Sequence, residues 1–305
     1  MNKRRIDTHH HFVPAFYRDW LDSKGVDAGG MPIPDWNSTT DLAILDQHEI
    51  ATAILSVSTP GVEPGTGQEA RDMARRLNEH AAELAREHPG RYGFFATLTL
   101  PDVDGALAEL DYAYDTLGAN GVVLHANSKG VYLGDPSFDA LFDELQRRES
   151  VIFVHPSALP GGEVPGIPAY AADFLLDSVR AAMNLARTGT LTRCPDLKLI
   201  LSHGGGFLPF AGARLSGLAD TSESIAEGYA LLQRFYLDSA LASSPFALPS
   251  TTVWAAADHL IFGTDYPYAN AERGLLFTAA LDAYEQIDHD AINRTNALSL
   301  FPDLT

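Results

Sequence analysis

Eight short apolar runs, each followed by a longer segment of helical character, set the strongest limit on how this chain of 305 residues can fold. They read RRIDTH, ATAILSVS, YGFFATLTL, NGVVLHA, VIFVHP, LKLILSH, RFYLDS and HLIFGTD. Strands that are apolar almost throughout, rather than alternating, belong in a parallel sheet covered by helices. The segments between them supply those helices. In GQEARDMARRLNEHAAELAREHPG, the residues Ala70, Met73, Ala74, Leu77, Ala81 and Leu84 recur at helical spacing, and Pro89-Gly90 marks the end. DGALAELDYAYDTLG, DPSFDALFDELQRRES and AYAADFLLDSVRAAMNLARTG read the same way, and Asp135-Pro136 offers a cap and a first-turn proline. With no linker, low-complexity stretch or shift in composition, the eight units predict one domain over residues 1–305, an α/β (β/α)8 TIM barrel. A doubly wound open sheet is the lesser alternative. Two stretches stand outside the cycle. Residues 21–39, LDSKGVDAGGMPIPDWNST, are a Gly/Pro-rich insertion after the first strand, long enough for a lid or substrate loop. Residues 285–305 are expected to form a helical C-terminal cap.

In a barrel, side chains at the C-terminal ends of the strands surround one open mouth. Five of the eight runs end in a potential ligand or proton carrier: His9-His10-His11 on the first, His125 on the fourth, His155 on the fifth, His203 on the sixth and Asp265 on the eighth. In an extended segment residues two apart point to one side, so His9 and His11 can grip one cation while His10 faces away. A divalent ion held by His9, His11, His155 and Asp265 would have three imidazoles and one carboxylate. Zinc suits that set, and manganese or iron are compatible with it. His203 would stand in the mouth as an acid–base group or as a residue behind the ligands. Gly204 to Gly206 after it allow close backbone approach.

Charge narrows the partners. A formal net charge of −19 repels a phosphate backbone and an anionic membrane surface, which argues against nucleic acid and membrane as partners. No apolar run reaches the roughly 18 residues of a membrane-spanning helix, and MNKRRIDTHHHF lacks the apolar stretch of a secretory signal. The single cysteine, Cys194, excludes an intramolecular disulfide, matches no nucleophile signature and reads as structural. These features point to a cytoplasmic protein.

IDTHHHFVP, VIFVHP, LILSHGGGFLPFAGAR and HLIFGTDYPYA occur in this order across nearly the whole chain. Together they resemble the amidohydrolase superfamily, and within it the metal-dependent decarboxylase branch, the methylsalicylate-like members above all. The resemblance implies one metal ion on His9, His11, His155 and Asp265, and an acid–base role for His203. It also implies a homodimer in which Arg214 reaches the neighbouring subunit's site to hold a carboxylate. The chain departs from the hydrolytic members at the fourth strand, where His125 stands in place of a metal-bridging lysine; Lys129 lies four residues later, in the loop, and one metal rather than two is expected.

The activity so implied is non-oxidative decarboxylation of a small aromatic carboxylate such as a 2-hydroxybenzoate. The metal would act as a Lewis acid, and Asp265 or His203 would deliver a proton to the ring carbon. An aromatic slot is expected from Trp36, Phe12 and Tyr266, with Tyr132, Phe207 and Tyr268 as further candidates. The neighbouring reading is a lactonase or amidase that activates water on the same metal; a non-catalytic metal-dependent scaffold is the third.

Overall fold

β1 (Arg5–His11), β2 (Ile50–Ser56), β3 (Tyr92–Thr97) and β4 (Gly121–His125) lie side by side in chain order. After a small antiparallel hairpin of β5 (Asn127–Ser128) and β6 (Val131–Tyr132), the order continues with β7 (Val151–His155), β8 (Lys198–Leu201), β9 (Tyr236–Asp238) and β10 (Leu260–Ile261). All neighbours in the eight-stranded sheet are parallel. Thr8 donates to the Phe262 carbonyl at 3.0 Å, Asp265 to the His9 carbonyl at 2.8 Å, and His11 to the Tyr266 carbonyl at 2.7 Å, so the last strand meets the first and the ring closes. The computed structural model describes residues 4–162, 164–218 and 225–304. The sheet is therefore a barrel rather than an open doubly wound sheet.

Two apolar cores follow from the two faces of each strand. Ile6, Ile54, Phe95, Phe153, Ile200 and Ile261 point inward and fill the barrel. Residues between them, such as Leu55, Phe94, Leu124, Val154 and Leu201, point outward under the helices. Period-2 alternation also places His155. Val151 and Phe153 are inward, so His155 is inward as well, one step higher, where the barrel opens.

The outer layer matches the helical spacing in the sequence. Over α3 (Gln68–Glu87), Met73, Ala74, Leu77, Ala81 and Leu84 are buried, as their recurrence requires. Asp135 caps a short 3-10 turn over Pro136–Phe138 by accepting from the Ser137 amide, ahead of a helix over Asp139–Arg147. The C-terminal cap closes the bottom of the barrel. Its π turn (Ala291–Thr295) and short helix (Asn296–Leu300) bring Leu300, Phe301 and Leu304 onto the interior cluster, with the Phe301 ring edge-on to Phe95 at 5.8 Å.

The insertion is shorter than its Gly/Pro content suggests. A helix, α1 (Ala15–Lys24), runs into it because Tyr17 and Leu21 share a buried face, and it stops where Gly25 turns left-handed at φ 64°. Asn37 caps the next helix (Ser38–Gln47) by accepting from the Thr40 amide. The irregular part, residues 25–37, folds back over the mouth, where the Gly29 carbonyl accepts from the Tyr170 amide at 3.2 Å. Among the described residues no helix is long and apolar enough to cross a membrane. Cys194 is buried, with its thiol 3.8 Å from the Phe142 carbonyl.

Candidate metal centre

Five side chains from four strand ends converge at the open end of the barrel. His9 Nε2 lies 3.1 Å from His11 Nε2 and 3.3 Å from Asp265 Oδ1. His11 Nε2 is 3.2 Å from the same Asp265 oxygen, and His203 Nε2 is 3.5 Å from Asp265 Oδ2. The His155 ring stands edge-on to both His11 and His9, at centroid distances of 4.8 and 5.4 Å. Candidate ligand atoms of His9, His155, His203 and Asp265 all fall within 4.8 Å of one another, close enough for a single metal ion. His11 belongs beside this group through its contacts with His9 and Asp265.

The imidazoles differ in how their outer nitrogens are held. His9 Nδ1 pairs with Asp238 Oδ2 at 2.7 Å, His11 Nδ1 with Ser56 Oγ at 2.9 Å, and His155 Nδ1 with the Pro156 carbonyl at 2.9 Å. Each of the three rings is thus tied at Nδ1, and Nε2 remains for the centre, the usual way a protein orients a metal-binding histidine. His203 is different. Its Nδ1 is buried without a hydrogen-bond partner among the described residues, and its Nε2 faces Asp265.

The electrostatics follow from burial and neighbours. Burial by itself would push the His9 pKa down, but the charge and hydrogen bond of Asp238, together with Asp265, raise it to about 10. Burial takes His11 down to about 4 and His155 well below the ordinary histidine value, with positive neighbours adding to the effect. Asp265 would be raised by its burial, yet hydrogen bonds from His11, His203 and His9 hold it well below the usual carboxylate range. An anionic carboxylate among imidazoles is the form in which such a set takes a cation.

Local backbone conformation delivers two of the three site residues that face the cavity. His203 and Asp265 both adopt positive φ, 55° and 64°. Such conformations are uncommon for residues with a side chain and cluster at functional sites. After His203, Gly206 turns left-handed at φ 65°, and a Cβ there would lie 2.4 Å from the Leu175 carbonyl oxygen. Gly263 lets β10 approach β1, since a Cβ there would meet the His9 Cβ at 2.7 Å.

His10 points away from the centre, opposite His9 and His11, because the pairing of β1 with β2 shifts register between Asp7 and His10 and so reverses the parity set by the inward Ile6, yet it does more than stand aside. It lies between Asp7 and Asp41, both at 2.9 Å, and Tyr92 donates to the other Asp41 oxygen at 2.6 Å. Asp7 also accepts from the Thr264 hydroxyl at 2.6 Å and the Thr264 amide at 3.1 Å, which ties β1 to the residue before Asp265. Burial would lower the His10 pKa, but the two carboxylates raise it to about 10.

A cavity of about 430 Å³ opens above the centre, with His155, His203 and Asp265 at its floor. Its walls are mostly apolar: Ala28 and Met31 from the insertion, Phe174 and Leu175 from the helix after β7, Ala242 and Ala247 after β9. Of the aromatic residues expected from sequence, Tyr268 alone lines it, edge-on to His11 at 5.4 Å. Phe12 turns into the outer core, where Trp36 packs edge-on against it at 6.1 Å, and Tyr266 lies against His10 at 5.3 Å. Tyr132 sits in the β5–β6 hairpin and Phe207 at the surface. The aromatic wall is instead Tyr170, Phe174 and Tyr268. Arg214, exposed near the end of the helix Leu208–Leu215, does not line the cavity of its own chain. His125 is half-buried beside a separate small cavity with Glu63, its ring 6.3 Å from that of His155.

Sequence reasoning missed Asp238, Tyr170 and Phe174. Asp238 had a signal, since it closes the seventh apolar run, RFYLDS, as Asp265 does the eighth. Tyr170 and Phe174 had none, because only the packing of the insertion against them makes them walls.

Residues 6–302 match the amidohydrolase family. The chain is 37% identical to the 6-methylsalicylic acid decarboxylase of Penicillium expansum, across 98% of this chain and 97% of that protein. It is 28% identical to the gamma-resorcylate decarboxylase of Rhizobium sp. (strain MTP-10005), across 95% and 92% respectively. It also superposes on the crystal structure of an amidohydrolase II with a TM-score of 0.92 at 28% identity, covering 98% of this chain and 100% of the other. Closed barrel, clustered imidazoles and near full-length similarity agree: the chain belongs to the amidohydrolase family.

Proposed function

We propose that this protein is a metal-dependent carboxy-lyase that decarboxylates a small aromatic acid of the 2-hydroxybenzoate class, 6-methylsalicylate or a close analogue. The observation that carries the reading is the floor of the cavity. Three histidines tied at Nδ1 present Nε2 beside an anionic Asp265, under apolar and aromatic walls that fit a ring. The similarity to decarboxylases over nearly the full chain supports the reaction class. His9, His11, His155 and Asp265 would hold one divalent ion, zinc first and manganese second, since nitrogen and oxygen donors of this kind suit both. Once bound, that ion supplies Lewis-acid stabilisation to the phenolic and carboxylate oxygens of the substrate.

The chain's own groups then manage the proton. His203 and Asp265 face the cavity 3.5 Å apart, so a proton can pass between them and on to the ring carbon that bears the carboxylate. In this scheme Asp265, anionic at rest, takes the proton from His203 and delivers it to the ring carbon. The new C–H bond forms on that carbon. As the C–C bond breaks, its electron pair returns to the ring, carbon dioxide leaves, and aromaticity is restored.

A second copy of the chain is part of the proposal. Phe210 and Val253, on two helices that pack against each other (Leu208–Leu215 and Ala247–Trp254), are both 86% exposed, and Phe246 at the start of the second is 90% exposed, apolar surface that a monomer would leave in water. Arg214 lies one helical turn from Phe210, so burial of that face between two copies would also bury the arginine's surroundings. Mixing Arg214→Ala with a metal-site variant should restore part of the activity that each lacks alone. No restoration in verified mixed dimers would mean that each site is built from one chain.

The test of the function is carbon dioxide release from 6-methylsalicylate by metal-loaded protein, with 3-methylphenol as the other product. Hydrolysis of lactones or amides without carbon dioxide would replace this reading with the hydrolase one.

A further inference from the structure

We infer that Arg273 is the residue through which this chain itself recognises the carboxylate of its substrate. The inference rests on the reading of the cavity as the site for an aromatic acid, and names the group that selects the acid over the neutral phenol. Among the described residues, Arg273 is the only lysine or arginine that lines the cavity. It stands in the first turn of the helix Ala271–Asp282, which begins just after the loop that carries Asp265 and Tyr268. Asn270 caps that helix by accepting from the Arg273 amide at 2.9 Å, so the backbone from which the side chain springs is anchored.

The guanidinium has no assigned partner. The protein carries 40 acidic residues against 21 lysines and arginines, and carboxylates are therefore plentiful. Arg5, Arg71, Arg75, Arg91, Arg148 and Arg193 each pair with one or more of them. No hydrogen bond or ion pair is present for the Arg273 side chain among the described residues. The other charge at the cavity, Asp265, is taken up by His9, His11 and His203. A net charge of −19 repels an anionic substrate at long range, which makes a cation at the entrance the natural counterweight. Guanidinium also matches carboxylate geometry, with two parallel donors for two oxygens. Arg273 comes from the same chain as the metal ligands, so its contribution does not depend on a second copy.

The experiment compares an acid with its own neutral product. In metal-loaded protein, Arg273→Gln should raise KM for 6-methylsalicylate about tenfold, as expected for a charge-assisted contact near solvent, while kcat changes much less. Inhibition by 3-methylphenol should be unaffected, and Arg273→Lys should recover part of the lost affinity. An unchanged KM in Arg273→Gln, or an equal loss of affinity for the acid and the phenol, overturns the inference and leaves the decarboxylase reading standing. If the wild-type protein binds neither compound, the reading of the cavity fails and this inference with it.

Discussion

Asparagine at position 203 should leave the metal in place and remove most of the turnover, by about 10²- to 10⁴-fold, the range over which a positioned acid–base group acts. His203 faces the cavity, approaches Asp265 at 3.5 Å and has no partner at Nδ1 among the described residues, so it lacks the tether that marks the other three rings. His11→Ala should behave differently. It removes an imidazole oriented by Ser56 at 2.9 Å, and metal and activity should be lost together. Metal content after dialysis, measured beside kcat, separates the two. If His203→Asn loses the ion while His11→Ala keeps it, the ligands are the compact set His9, His155, His203 and Asp265, and the proton must come from elsewhere.

Asp238→Asn should weaken metal binding by about 10- to 100-fold, the usual cost of disturbing a group behind a ligand. One carboxylate oxygen accepts from His9 Nδ1 at 2.7 Å. The other accepts from the amides of His203, at 2.9 Å, and Ala240, at 3.0 Å. All three partners donate, so an amide in place of the carboxylate must turn its NH2 group towards at least one donor. If it faces His9, the ring loses the anion that fixes its tautomer. If it faces the backbone, the strained turn at His203 loses its anchor. Turnover at saturating metal should therefore fall as well, which a defect confined to metal affinity would not produce. Full activity of Asp238→Asn once metal is in excess would limit Asp238 to orienting His9.

The barrel and the floor of its mouth were legible in the chain because both rest on periodicity. Eight apolar runs separated by helical segments leave few arrangements other than a closed parallel sheet, and alternation within a strand carries the inward column of Val151 and Phe153 upward to His155. The same rule sends His10 away from its neighbours. It did not foretell that His10 would lie between Asp7 and Asp41, because Asp41 comes from a helix whose placement no local pattern encodes. Gly/Pro content places the start of the insertion at residue 21, yet the α1 helix continues to Lys24, since burial of Tyr17 and Leu21 outweighs the turn signals beyond.

The cavity walls mark where reading along the chain ends. Phe12 and Trp36 sit near the ligands in sequence or in a polar loop, but they pack against each other in the outer core. Tyr170, Phe174 and Arg273 come from two distant loop–helix junctions and become walls only when the barrel closes and the insertion folds over its mouth. Residue order and spacing by themselves determined the barrel and the shared side of His9 and His11 opposite His10, because strand and helix periods are local properties of the chain. Which nitrogen of each ring is tied, what lines the cavity, and which arginine meets it were decided by tertiary structure alone, since those contacts join groups far apart in the chain, 229 residues in the case of His9 and Asp238.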